Sequence, residues 1–130
     1  MIALDTNVLA RFLLRDDPAQ YRKARSLLER EAECWIPVTV ILELAWVLKS
    51  AGVPRREMAE KLRGVLALAN VRPQLPEAVH VALRWAEKGL DLADALHLAL
   101  SSRSTKFHSF DASLAKRAEK LGVTPVVSVP

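Results

Sequence analysis

The opening nine residues, Met1-Ile2-Ala3-Leu4-Asp5-Thr6-Asn7-Val8-Leu9, constrain this chain more than any other stretch. Ile2, Ala3 and Leu4 have no polar residue to face water, which predicts a short, buried, central strand of a parallel sheet. Asp5 follows at once. Thr6 and Asn7 then lead into an apolar-periodic run, Val8, Leu9, Phe12 and Leu13, which predicts a helix. An acid thus stands where the first strand gives way to its helix, and ligands of open α/β sheets bind at that carboxyl edge of the strands. Asp5 or Thr6 would serve equally well there as a plain N-cap. The choice turns on whether the rest of the chain supplies acids in equivalent positions.

Apolar runs and turn residues predict four further strands. They are Cys34-Trp35-Ile36, ended by Pro37; Val71-Arg72; Lys106 to Ser109; and Pro125-Val126-Val127. Helices fill the intervals. One starts at Pro18, a residue suited to the first helical position, and runs to about Arg30. Others span Thr39 to Ser50, about Arg55 to Leu68 with Met58, Leu62 and Val65 inward, and Leu75 to Lys88 with Val79, Ala82, Leu83 and Ala86 inward. The last follows Asp111, carries Leu114, Ala118 and Leu121 as its stripe, and stops at Gly122. Strands alternating with one or two helices predict an α/β fold of three layers, a short central parallel sheet of four to five strands flanked by helices. A length of 130 residues suits a single domain, 1–130, with its own core.

Three further acids matter. Thr39 to Ser50 is apolar nearly all round and is expected to be buried, so its one acid, Glu43, must be paired, metal-bound or neutral. Between Asp91 and Ser102, Leu92, Ala93, Ala95, Leu96, Ala99 and Leu100 share one broad helical face. Asp91, Asp94, His97 and Ser101 gather on the narrow remaining side, with Leu98 and Ser102. Asp91 suits an N-cap, whereas Asp94 lies on the edge leading to His97. Asp111 repeats the position of Asp5, and it too would serve as a cap.

If right-handed crossovers bring the strand ends to one edge, Asp5, Glu43, Asp94 and Asp111 meet there. Four carboxylates in one cleft repel one another unless cations are present. A site made only of oxygen donors suits a hard divalent ion, Mg²⁺ or Mn²⁺. His80, His97 and His108 have no zinc-ligand spacing and there is no second cysteine. Metal-assisted phosphoryl chemistry fits such a site. The chain lacks a Gly-rich phosphate loop and a Gly-x-Ser-x-Gly elbow, so P-loop hydrolysis and acyl transfer are unsupported. A dehalogenase-like phosphatase would need a second aspartate two residues after the first, where Asn7 stands. Set aside the four acids out of 15, and 11 remain against 19 Lys and Arg, a surface near +8 that favours a polyanionic partner.

Asp5-Thr6-Asn7-Val8-Leu9 resembles the opening motif of PIN domains, with Glu43 as the embedded glutamate after the second strand. Asp91-Leu92-Ala93-Asp94-Ala95-Leu96-His97-Leu98-Ala99 is similar to that family's third motif, and Ser109-Phe110-Asp111 to its fourth. The resemblance covers nearly the whole chain and extends to the Gly52-Val53-Pro54 helix start. In length it is most similar to VapC-type toxins of toxin–antitoxin pairs. It implies a Mg²⁺-dependent endoribonuclease, homodimeric, held inactive by a cognate antitoxin. Asp5, Asp94 and Asp111 would bind metal, and Glu43 metal or its water. Asn7 and Ser109 would orient the site, Ser109 standing where many relatives carry threonine. A non-catalytic PIN-like module for RNA or protein binding is the alternative, and retention of all four acids argues against it. Met1 leads straight into a strand without a signal peptide, and the apolar stretch Val38 to Leu48 is too short to cross a bilayer. A single cysteine, Cys34, suits a reducing compartment, so a cytoplasmic protein without membrane association is expected.

Overall fold

Five strands and seven helices alternate along the chain in the computed structural model, which describes residues 1–130. They fall into two compact units, Met1–Pro76 and Glu77–Pro130. The first contains β1 (Ile2–Ala3), α1 (Thr6–Leu14), α2 (Pro18–Arg30), β2 (Cys34–Ile36), α3 (Val38–Ser50), α4 (Arg55–Leu66) and β3 (Val71–Pro73). Its sheet has the order β1-β2-β3, with both pairings parallel; Ile2 and Val71 each stand opposite Cys34. Helix α1 packs on α2 and α3, and α3 on α4. Leu9, Ile36, Ile41, Leu44 and Leu48 are fully buried, which is where the apolar periodicity directs them.

Local chemistry explains the ends of these helices. Pro18 opens α2 and the Asp17 side chain accepts from the Gln20 amide at 3.1 Å. The far end of α2 is closed from outside: Asn70 Nδ2 donates to the carbonyls of Leu28 at 2.8 Å and Glu31 at 2.9 Å. Carbonyls in a last helical turn lack intrahelical partners, so this one amide ties the approach to β3 onto α2.

The second unit holds α5 (Pro76–Glu87, beginning at the boundary), α6 (Leu92–Ala99), β4 (Lys106–His108), α7 (Ala112–Leu121) and β5 (Val126–Ser128). Strands β4 and β5 pair in parallel, Phe107 opposite Val127. Helix α7 packs on β5 and ends at Gly122 with φ 66°, the left-handed stop that the glycine predicts. The architecture is α/β, with parallel strands flanked by helices and five strands as the upper expectation had it. They are hydrogen-bonded as a group of three and a group of two.

Three expectations need correction. Strand β1 is not a buried central strand: it bonds only to β2, Ile2 is half-buried and Ala3 exposed, and Leu4 at 3% exposure is the buried anchor. A two-residue strand with one neighbour leaves one side of its ladder uncovered. Helix α3 is not buried all round, because Thr39, Glu43, Trp46 and Ser50 form an exposed stripe. On α6, Leu98 is fully buried and Leu100 is 45% exposed, the reverse of the ideal-wheel assignment. Leu100 keeps helical backbone as the C-cap, its amide donating to Leu96 O at 2.9 Å, so its exposure comes from lack of cover and not from leaving the helical path.

Candidate functional site

The carboxyl ends of β1, β2 and β3 carry the polar groups of the first unit. Asp5 occupies the N-cap position of α1 with extended backbone (φ −85°, ψ 161°), yet its side chain makes no capping hydrogen bond. The plain-cap role is therefore not the one Asp5 plays. Thr6, 3% exposed, is the only buried polar residue, and its Oγ1 donates to Glu43 Oε1 across 37 positions of sequence. That bond sets Glu43 of α3 at the strand end that carries Asp5. Glu43 lies on the exposed stripe of its helix, so its charge stays near water and needs no counter-ion to be tolerated.

After β2, Pro37 holds the N-cap position of α3 and has no side chain able to cap. Gln74, just past β3, replaces it: its Oε1 accepts from the Val38 amide at 2.9 Å, and its backbone N–H donates to Ile36 O at 2.8 Å. Gln74 thereby fixes the start of the helix that bears Glu43. Sequence reasoning missed both Thr6 as an anchor and Gln74 as a cap. The signal for Gln74 was Pro37 itself, a cap position that must borrow its acceptor from elsewhere.

In the second unit Asp91 and Asp111 are used as helix caps. Asp91 accepts from the Asp94 amide at 3.2 Å, as its sequence position predicts. Asp94 sits half-buried in the first turn of α6, where a carboxylate is favoured by the helix dipole, and His97 is exposed one turn on. Asp111 Oδ1 accepts from the Leu114 amide at 3.1 Å, while Ser109 Oγ accepts from the Asp111 amide at 3.1 Å. Ser109 is itself held by its amide donating to Ser128 O at 3.0 Å beside the β4–β5 pair. Asp111 is exposed and keeps its second oxygen clear of the cap.

Asn7, the other orienting candidate, is exposed in the first turn of α1. It lines a groove of ≈ 290 Å³ with Val8, Arg11, Gln20, Lys23, Ala24 and Leu27. Neither unit gathers three His, Cys, Asp or Glu side chains closely enough to hold a metal ion. What the donors do fit is hard-ion chemistry, since Asp5, Glu43, Asp94 and Asp111 offer only oxygen. Mg²⁺ keeps several waters and takes as few as one or two carboxylates besides substrate phosphate. No helix is long and apolar enough to cross a membrane.

Compared with known families, residues 2–120 match the family model described as PIN domain. No curated protein matches the sequence.

Proposed function

Because the chain belongs to the PIN domain family, we propose that it is a Mg²⁺-dependent endoribonuclease of the VapC toxin type. Family membership supports a nuclease of the hydrolase class, acting on RNA or DNA, and nucleases of this family generally use divalent metal ions. The finer reading takes RNA as substrate, a cognate antitoxin as inhibitor, a homodimer as the working form and the cytoplasm as its place. It also takes residues 1–130 as one domain, which the match across both units supports.

The observation that carries this reading is the uncapped carboxylate of Asp5 beside the Thr6–Glu43 hydrogen bond. A side chain at an N-cap position that leaves its amides uncapped forgoes about 1 kcal/mol of helix stability. Such a departure from local rules is expected at a working site. In the proposed assignment Asp5, Glu43, Asp94 and Asp111 are the metal-holding and catalytic acids, with Asn7 and Ser109 as orienting residues. A divalent ion held by such acids lowers the pKa of water and stabilises negative charge developing on the phosphodiester. The chain's own residues do the rest. Thr6 fixes Glu43 Oε1 and leaves Oε2 to accept a proton or a water, Gln74 secures the helix beneath it, and Ser109 steadies the backbone at Asp111.

Purified protein should cleave single-stranded RNA with Mg²⁺ or Mn²⁺ and stop in EDTA, leaving single-stranded DNA of the same sequence intact. Full cleavage in EDTA, or rescue by zinc alone, would overturn the metal assignment. A complex with the product of a neighbouring small gene should lose most of this activity, and a complex that cleaves like the free protein removes the antitoxin role.

A further inference from the structure

With the terminal Met1 set aside, the two most exposed large apolar side chains are Phe110 at 85% and Trp46 at 69%. Each stands beside one of the candidate acids. Trp46 follows Glu43 by three residues on the exposed stripe of α3, one turn along the same face. Phe110 immediately precedes Asp111. Tryptophan and phenylalanine are among the side chains that fold chiefly by burial, so isolated, nearly bare rings need a reason.

Their surroundings separate two explanations. A protein partner would call for a contiguous apolar patch around each ring. On α3 the exposed neighbours of Trp46 are Thr39, Glu43, Lys49 and Ser50, all polar. Around Phe110 they are His108, Asp111, Ala112 and Ser113, with one exposed apolar side chain, Val129, just past the Ser128 that pairs with His108, and the same unit exposes Arg103, Lys106, Lys116 and Arg117 nearby in sequence. Trp46 thus stands among polar groups of balanced charge and Phe110 in a segment rich in exposed cations; lone rings in polar surroundings with cations to track the backbone are the makeup of stacking sites for single-stranded nucleic acid.

We propose that Trp46 and Phe110 are each a base-stacking residue for single-stranded RNA, Trp46 next to Glu43 in the first unit and Phe110 next to Asp111 in the second. The substrate role rests on the nuclease reading above, but the stacking itself does not require cleavage. Stacked bases carry no hydrogen-bond readout, so each ring is tolerant of sequence while fixing which phosphates lie near its own neighbouring acid.

The test uses Trp46→Ala, Trp46→Phe, Phe110→Ala and Phe110→Tyr in the full chain. Binding of a fluorescein-labelled oligoribonucleotide is measured by anisotropy in EDTA, and KM and kcat are measured with Mg²⁺. Each alanine variant should weaken binding and raise KM by on the order of tenfold, while kcat holds and the aromatic replacements restore both. Unlabelled RNA should quench the intrinsic fluorescence of the wild type and quench Trp46→Phe less. Because both rings are exposed, melting temperatures should not move. Alanine variants that bind RNA like the wild type overturn the proposal, and if the wild type still cleaves, the nuclease reading survives. A wild type that binds through both rings in EDTA yet fails to cleave RNA with any divalent metal keeps the stacking and sinks the nuclease reading. Loss of a dimer in Trp46→Ala or Phe110→Ala by light scattering, with RNA affinity unchanged, assigns the rings to an interface between copies and overturns the proposal.

Discussion

The strand ends at Asp5 and Asp111 share one sequence pattern, an acid directly before a helix, and use it differently. Asp111 gives one oxygen to the Leu114 amide and is braced by Ser109. Asp5 gives none to α1, and its neighbour Thr6 directs its hydroxyl to Glu43 instead. One junction stabilises its own helix while the other leaves a carboxylate uncommitted. Position in a motif therefore does not settle the role of an acid; the partner of its oxygens does.

The largest expected effect is on activity. Asp5→Asn should cut RNA cleavage by about a hundredfold or more, the scale of losing a metal-holding charge, with little change in melting temperature. Asp111→Asn keeps a competent cap and should lose less, since only one of its oxygens is clear of the helix. Initial rates of the two purified variants decide this, and a greater loss at Asp111 breaks the contrast.

Metal binding should show in stability as well. Saturating the wild type with Mg²⁺ at a hundredfold over its dissociation constant should add about 2.7 kcal/mol. Thermal melts with EDTA and with Mg²⁺ should show Asp5→Asn and Asp94→Asn gaining much less. A magnesium shift equal to the wild type's in either variant removes that residue from the metal.

Alanine sharpens the comparison further, because it deletes caps. Asp111→Ala and Asp91→Ala should each lower stability by about 1 kcal/mol in urea titrations, whereas Asp5→Ala should cost none. An equal loss at Asp5 would mean that its carboxylate supports α1 after all.

The smallest effect concerns the buried thiol of the first unit, which the second lacks. Burial pushes the Cys34 thiol above its ordinary value of 9.0, and the negative charge of Glu31 adds to the shift. Below that ordinary value, which the unfolded chain keeps, the thiol is neutral folded and unfolded alike. As pH rises from there toward the raised folded value, the unfolded chain ionises first, so the stability that the neutral thiol supplies is lost. Between pH 7.5 and 9.5 the wild type should lose slightly more melting temperature than Cys34→Ala does. Identical pH slopes would mean that Cys34 ionises as freely in the folded protein as in the unfolded one.

The sequence by itself determined what is decided within a turn or two of chain. Pro18 at the head of α2, Asp91 bonded to the Asp94 amide and Gly122 in its left-handed stop all follow from short-range sterics and capping. So do the inward stripes of α4 and α5, because helical periodicity aligns Met58 with Leu62 and Val79 with Leu83. The acids at strand ends were legible for the same reason. Tertiary structure alone decided which surfaces are covered and which distant groups meet. Glu43 and Trp46 look buried in an apolar run, yet no neighbour covers that side of α3. Thr6 meets Glu43 across 37 residues, and Gln74 caps α3 across 36. Hydrogen bonds of that range depend on how β1, β2 and β3 line up side by side, and no local preference of Thr6, Gln74 or Glu43 encodes that alignment.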